Sequence, residues 1–253
     1  MIGYAVGDEE SGLPKRVAAI RLATKGMLMS GSIVVADEGA AEALTVPEKR
    51  RAQIIETAIR LFSEHGYFQT TIDDIANAIP ISKGLVYKYF KDKNDILYFC
   101  MQYVLEKYKL EEVPHLISKI GPLGALMKVM NIQCILAQEH MLEVALAYRS
   151  TADLSQDLAR QIKILESKTA RMIRQCLDAC IHQGLMRPLN TDIMAYQFIM
   201  YGHTWALKNW AFRDRYSADE YMAEGENILV RPFLTESGLS ELNRYKETEV
   251  APS

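Results

Sequence analysis

The sequence predicts an all-α protein: a cluster of short helices in the first third of the ordered chain, then a longer helical body. Three observations carry this expectation. Apolar residues recur at three- and four-residue steps from residue 48 onward, helix-start and helix-stop residues punctuate residues 47–95, and no stretch alternates apolar and polar side chains as a half-buried strand would.

The 253 residues suffice for one or two domains, and with 49% apolar and 24% charged residues the chain falls among globular proteins rather than disordered ones. Four cysteines without paired-ligand spacing fit a reducing, cytoplasmic compartment better than a disulfide framework. No run of 18 apolar residues occurs, so a membrane-spanning helix is not expected. Lys15, Arg16, Arg21 and Lys25 precede an apolar run, but Ser30, Gly31 and Ser32 interrupt it, which argues against a secretory leader. Residues 1–46 hold six of the fourteen glycines and no sustained periodicity, and are expected to form a disordered or weakly ordered extension. Two further units follow in this reading, 47–94 and 95–253.

Charge divides unevenly. Residues 47–93 carry eight Lys/Arg against six Asp/Glu, whereas the segments on either side are net acidic. Residues 79–93 hold four lysines and one acid, a local excess able to steer an anion.

The first helix starts at Pro47. Ile54, Ile55, Ala58, Ile59, Leu61 and Phe62 form its apolar face, and Gly66 is its C-terminal cap. Thr71 opens the second, since its hydroxyl can cap free amides while Asp74 reaches back. Pro80 stops that helix, lacking an amide proton and restricting the residue before it. Ser82 caps a third helix running to Tyr89, and Asp92, with Asp95 three residues on, starts a fourth. Two short helices joined by a tight turn and braced by a longer one describe a helix-turn-helix unit.

The run Thr71, Ile72, Asp73, Asp74, Ile75, Ala76, followed by residues 82–90 (SKGLVYKYF) and then Lys93 and Leu97, resembles the DNA-binding domain of TetR-family transcriptional regulators over about fifty residues. The family usually has glycine in the turn where this chain has Pro80. Proline forbids positive φ, so the turn must take another backbone path, which leaves the approach angle of the recognition helix open. The resemblance implies double-stranded DNA as partner and places Thr71, Ser82, Lys83, Gly84, Leu85, Tyr87, Tyr89 and Lys93 at the duplex. The chemistry of these residues agrees. A recognition helix brings its N-terminal end to the major groove, where Ser82, Lys83 and Gly84 lie, and a glycine there permits close backbone approach. Lys83 suits a phosphate or a guanine edge equally. The resemblance implies phosphate contacts for the hydroxyls of Tyr87 and Tyr89, although two tyrosines two positions apart on a helix are expected to turn one ring inward. Lys93, in the first turn of a helix, opposes the helix dipole unless a phosphate neutralises it.

Beyond residue 94 come long helical stripes. Ile96, Leu97, Cys100, Met101, Val104, Leu105 and Tyr108 fit one helix ending near Pro114. Leu123, Met127, Met130, Cys134, Ala137 and Met141 fit another. Leu158, Ile162, Leu165, Thr169, Met172, Cys176 and Cys180 fit a third, stopped at Gly184. Residues 192–212 leave no broad polar face, so this segment is expected to be covered on two sides, most simply by a second copy of the chain across a two-fold axis. The resemblance likewise implies a homodimer, built on the last two long helices, and a near-palindromic operator.

The resemblance also implies a small-molecule effector in the body. Met127, Met130, Met172, Cys134, Cys176, Tyr148 and Phe198 are soft or aromatic groups at core-facing positions, open to two readings, ordinary core or an adaptable apolar pocket. The segments around Trp205 to Trp210 and Tyr216 to Tyr221 look like members that sense fatty acids or acyl-CoA, which implies an apolar, acyl-type ligand. No metal site, cofactor or catalytic constellation is expected: Cys176 and Cys180 lack a second ligand pair, the five histidines form no spaced motif, and Glu139 with Glu143 reads as a solvated edge beside His140. The expected function is a ligand-responsive repressor, the alternative a DNA-binding structural protein of the same fold that recruits a protein partner.

Overall fold

A computed structural model describes residues 45–107 and 113–250, and among them the backbone is helical apart from turns and one isolated bridge between Met186 and Leu234. The extension at residues 1–44, and Tyr108, lie outside the described residues.

Helix α1 spans Val46–His65. It starts just before Pro47 because Thr45 closes its first turn, the amide and hydroxyl donating to the Glu48 carboxylate at 2.8 and 2.7 Å. Gly66 ends it at a φ of 87°, a region that favours glycine, its N–H donating to the Phe62 carbonyl at 3.0 Å. Helix α2, Ile72–Ala78, carries the reciprocal pair expected from the sequence: the Asp74 amide donates to the Thr71 hydroxyl at 3.1 Å and the Thr71 amide to the Asp74 carboxylate at 2.8 Å. Helix α3, Lys83–Tyr89, is capped by Ser82, whose hydroxyl accepts from the Leu85 amide at 3.2 Å. The turn between α2 and α3 contains no positive φ. Ile79 stands at φ −121°, ψ 27°, and the Ile81 amide closes the turn on the Ala76 carbonyl at 3.0 Å, so Pro80 is accommodated without the backbone path a glycine would allow.

Helix α4, Lys93–Lys107, leads into the body. It packs on α1, and its Ile96, Leu97 and Cys100 are fully buried with Ile54, Phe62, Ile75, Val86 and Phe90. That core runs on into Leu146, Leu154 and Ile162, so the reading head and the adjoining body share apolar contacts.

The body comprises α5 (Val113–Glu139), α6 (Met141–Ser150), a 3-10 turn (Thr151–Asp153), α7 (Gln156–His182), α8 (Thr191–Leu207), short α9 (Asn209–Phe212), α10 (Ala218–Leu229) and, after a second 3-10 turn (Arg231–Phe233), α11 (Glu236–Val250). Helices α5, α7 and α8 pack on one another around Leu123, Leu126, Met130, Ile173, Cys176 and Phe198. Glu226, 5% exposed, ties α10 to its neighbours by accepting from Arg231 at 2.7 Å and Lys246 at 2.8 Å.

Four expectations are revised. Pro114 opens α5 in its first turn instead of ending α4, a place where its missing amide proton costs nothing. The stripe through Met141 divides, because His140 leaves helical geometry at φ −117°, ψ 40°. Lys208, at φ −122°, ψ 22°, similarly splits the 192–212 segment into α8 and α9. Glu143 is buried beside His140, with Oε1 3.2 Å from Nδ1, rather than solvated. In addition, α5 is long and apolar enough to cross a membrane by composition, yet 67% of its most apolar window is buried inside the protein, as befits a central core helix. The helix is also bent at Gly121, whose φ is 74°.

Candidate nucleic-acid interface and a cavity in the body

The N-terminal end of α3 presents Ser82, Lys83 and Gly84 to solvent. Lys83 donates to the Asp73 carboxylate at 2.6 Å, and this hydrogen bond is the main cause that raises its pKa. Both partners are about half exposed, so the pair is weak and Lys83 can exchange Asp73 for another anion at little cost. Gly84 has an ordinary helical backbone, and a Cβ built there would approach nothing nearer than the Ser82 hydroxyl at 3.9 Å. A glycine in a helix destabilises by roughly 0.5–1 kcal/mol relative to alanine, and nothing inside this chain offsets that cost.

One tyrosine of the pair turns inward: Tyr89 packs on the head core while Tyr87 is 48% exposed. Leu85 is half-buried, Val86 and Phe90 are core, and Thr71 is an exposed cap. Lys93 finds partners inside the head. Its ammonium donates to the carbonyls of Tyr67, Phe68 and Thr70 at 2.9, 3.4 and 3.0 Å and stands 4.4 Å from the centre of the Tyr67 ring. The clash with the helix dipole is relieved by carbonyl oxygens of the α1–α2 loop, and no phosphate is needed to explain the residue. Lys93→Ala is expected to lower stability by about 2 kcal/mol, the scale of lost charge-assisted hydrogen bonds, as read by urea unfolding.

Sequence reasoning missed Asn94, which links head and body. Its amide donates to the Asp153 carbonyl at 3.0 Å and the Tyr67 hydroxyl at 3.3 Å, and its carbonyl accepts from the Ser155 amide at 3.0 Å. The 3-10 turn it grips joins α6 to α7. No sequence signal could have revealed this, because the partners lie 27 to 61 residues away.

The effector candidates disperse. Of these candidates Tyr148 borders a cavity of about 250 Å³ among α4, α5, α6, α7 and α8, together with Leu105, Gln133, Glu166, Tyr196, Met200 and His203. Met127 borders a second cavity, near α10 and α11. Met130, Cys134, Cys176 and Phe198 are buried in the body and Met172 packs against its core, away from both cavities. The reason is geometric: stripes on α5 and α7 point at each other and fill the space between, while the cavity opens beside them. Burial pushes the thiols of Cys134, Cys176 and Cys180 up to about 12, which leaves them protonated and unreactive at neutral pH.

Inside the first cavity, the Tyr148 hydroxyl lies 2.9 Å from His203 Nδ1 and 3.0 Å from Met200 Sδ. Burial holds the His203 pKa down at about 4. The folded state thus resists protonation that the unfolded state accepts, so His203 lowers stability progressively as pH falls from about 6.5 to about 4 and has no such effect above that window. His203→Gln is expected to flatten the fall in thermal midpoint between pH 6.5 and 4, measured by calorimetry. Gln133, 1% exposed, has neither amide atom hydrogen-bonded among the described residues. Leaving a buried polar atom unpaired costs about 1–3 kcal/mol. A composition-based reading had no means to single it out.

A capped, glycine-bearing second helix of a helix-turn-helix, joined to an all-α body with a partly open cavity, defines the class of one-chain DNA-binding regulators. The family description "Bacterial regulatory proteins, tetR family" matches residues 54–98. The HTH-type transcriptional regulator HbdR of Aromatoleum sp. (strain CIB) is 44% identical over 205 residues, 81% of this chain and 89% of the relative. This chain belongs to the TetR family. The HTH-type transcriptional repressor Rv1474c of Mycobacterium tuberculosis is 29% identical over 131 residues, 50% of this chain and 66% of the relative. Among solved structures, AibR in complex with isovaleryl coenzyme A and operator DNA superposes with a TM-score of 0.62 at 24% identity, over 73% of this chain and all of AibR. The ketosteroid transcriptional regulator KstR2 of Mycobacterium tuberculosis gives 0.61 at 21% identity, over 74% of this chain and 96% of KstR2. These two likenesses concern the fold.

Proposed function

We propose that this chain is a cytoplasmic, ligand-responsive transcriptional repressor. A homodimer binds a near-palindromic operator through two copies of α3, and occupation of the body by a small apolar, acyl-type effector favours a conformation whose heads no longer match the half-sites. The observation that carries the reading is Gly84, a glycine that the fold does not need at the tip of a helix whose neighbours, Ser82 and Lys83, are exposed. Support for the dimer comes from α8, which buries Ala195, Phe198 and Ile199 while leaving Ile193, Tyr196 and Met200 exposed at three- and four-residue steps. Relatives named as regulators, and the AibR complex with both a coenzyme A thioester and operator DNA, favour this reading over a structural DNA-binding protein.

The test is fluorescence anisotropy with duplexes from promoters, beginning with DNA beside the chain's own gene. Salt-dependent binding to a near-palindrome, released by an acyl compound, is the expected result, and absence of salt-sensitive binding to any genomic duplex overturns it. Lys83→Ala is expected to reduce affinity about tenfold and to lower the salt slope by about one if the contact is to phosphate, or to relax preference at one base position if it is to guanine.

A further inference from the structure

Gln133 is a polar group that the fold pays for and does not use. It stands on α5 where α8 packs closely: a Cβ on Gly202 would lie 3.3 Å from the Gln133 backbone carbonyl oxygen, a tight contact that glycine's bare backbone relieves. Gln133 borders the cavity, and both the nitrogen and the oxygen of its amide are buried without a partner among the described residues. Which of the two atoms is nitrogen makes no difference, since each is unpaired.

The surrounding charges say what kind of group fits. No lysine or arginine lines the cavity, Glu166 borders it, and His203 stays neutral at physiological pH. A carboxylate entering here would meet an acid and no cation. The volume, about 250 Å³, is small. An apolar cavity of about 150 Å³ is enough for benzene, so this one takes a single ring or a chain of similar bulk. Tyr148, Tyr196 and Met200 supply aromatic and thioether walls for it.

We propose that Gln133 is the specificity-determining residue of an effector site for compact, uncharged acyl compounds, its amide N–H donating to the ligand carbonyl and its amide oxygen accepting from an N–H or O–H where the ligand carries one. The acyl group is read as an amide or thioester and the free carboxylate is refused. This rests on the reading that the body binds a small effector, and it adds the charge state, the size and the recognising residue.

The probes are benzamide, benzoate and toluene, matched in ring size and different in polarity, titrated calorimetrically into the full chain at pH 7.5. Benzamide is expected to bind at least tenfold more tightly than either of the others. In Gln133→Leu and Gln133→Met that preference is expected to vanish, with benzamide falling to the level of toluene and with a thermal midpoint no lower than that of the parent, because an unpaired amide has been removed. Equal affinity for benzoate and benzamide, retention of the preference in a folded variant, or no binding of benzamide at millimolar concentration overturns the assignment. Operator binding measured in parallel separates the two readings: a chain that holds its operator but ignores benzamide defeats the cavity assignment alone, and one that prefers benzamide but binds no genomic duplex defeats the repressor alone.

Discussion

Gly84→Ala raises the thermal midpoint and weakens operator binding at the same time. The two effects have opposite signs because they have different origins. An added Cβ meets only the Ser82 hydroxyl, at 3.9 Å, so the folded chain loses nothing and the helix gains roughly 0.5–1 kcal/mol. For a chain of this size that corresponds to a rise of about 1–4 °C, measurable by circular dichroism. At the duplex the same methyl group stands between the α3 backbone and the groove, and because each displaced contact counts in both halves of a symmetric dimer, an affinity loss of tenfold or more is expected in anisotropy titrations. Unchanged operator affinity would remove Gly84 from the interface and take away the observation on which the DNA-binding reading leans most.

Ile193→Glu is expected to have a larger effect on affinity. Ile193 is 61% exposed in the single chain and borders no described cavity, so the substitution leaves the fold intact. Across a two-fold axis, however, it sets two carboxylates into an apolar seam. The chain should sediment as a monomer. A monomer must bind each half-site separately, without the effective concentration that tethering supplies, so affinity for the full operator should fall about 100-fold or more. A dimer of undiminished stability in the variant would place the interface elsewhere, with the exposed Ile228 and Leu239 of α10 and α11 as the next surface to test.

The helix boundaries of the reading head were legible in the sequence. Its helix boundaries depend on caps that act over three residues, Thr71 with Asp74 and Ser82 with Leu85, and such contacts are written in local sequence. Even the departure at Pro80 was legible, since a fixed φ constrains the turn wherever it is placed. The candidate effector site was not. Met130, Cys176 and Phe198 have the composition of an adaptable pocket, but the same periodicity that points them at one another makes them core. Tyr148 was found because an aromatic ring at that spacing suits either role, whereas Gln133 and Asn94 carry no composition signal at all.

Lys93 shows where local reasoning turns from evidence to inference. The sequence correctly exposes an ammonium in conflict with a helix dipole, and the resolution belongs to three carbonyls on a loop 23 to 26 residues away.

By itself, then, the chain's sequence determined an all-α architecture, the caps and stops of α1 to α4, and a lysine-rich, glycine-tipped third helix, because these follow from backbone hydrogen bonding and side-chain period over a turn or two. Tertiary structure alone decided which soft side chains became core, where the cavity opened, and which amide was left without a partner. Those outcomes depend on helices separated by tens of residues meeting at particular registers, and a one-dimensional pattern does not contain the distances between them.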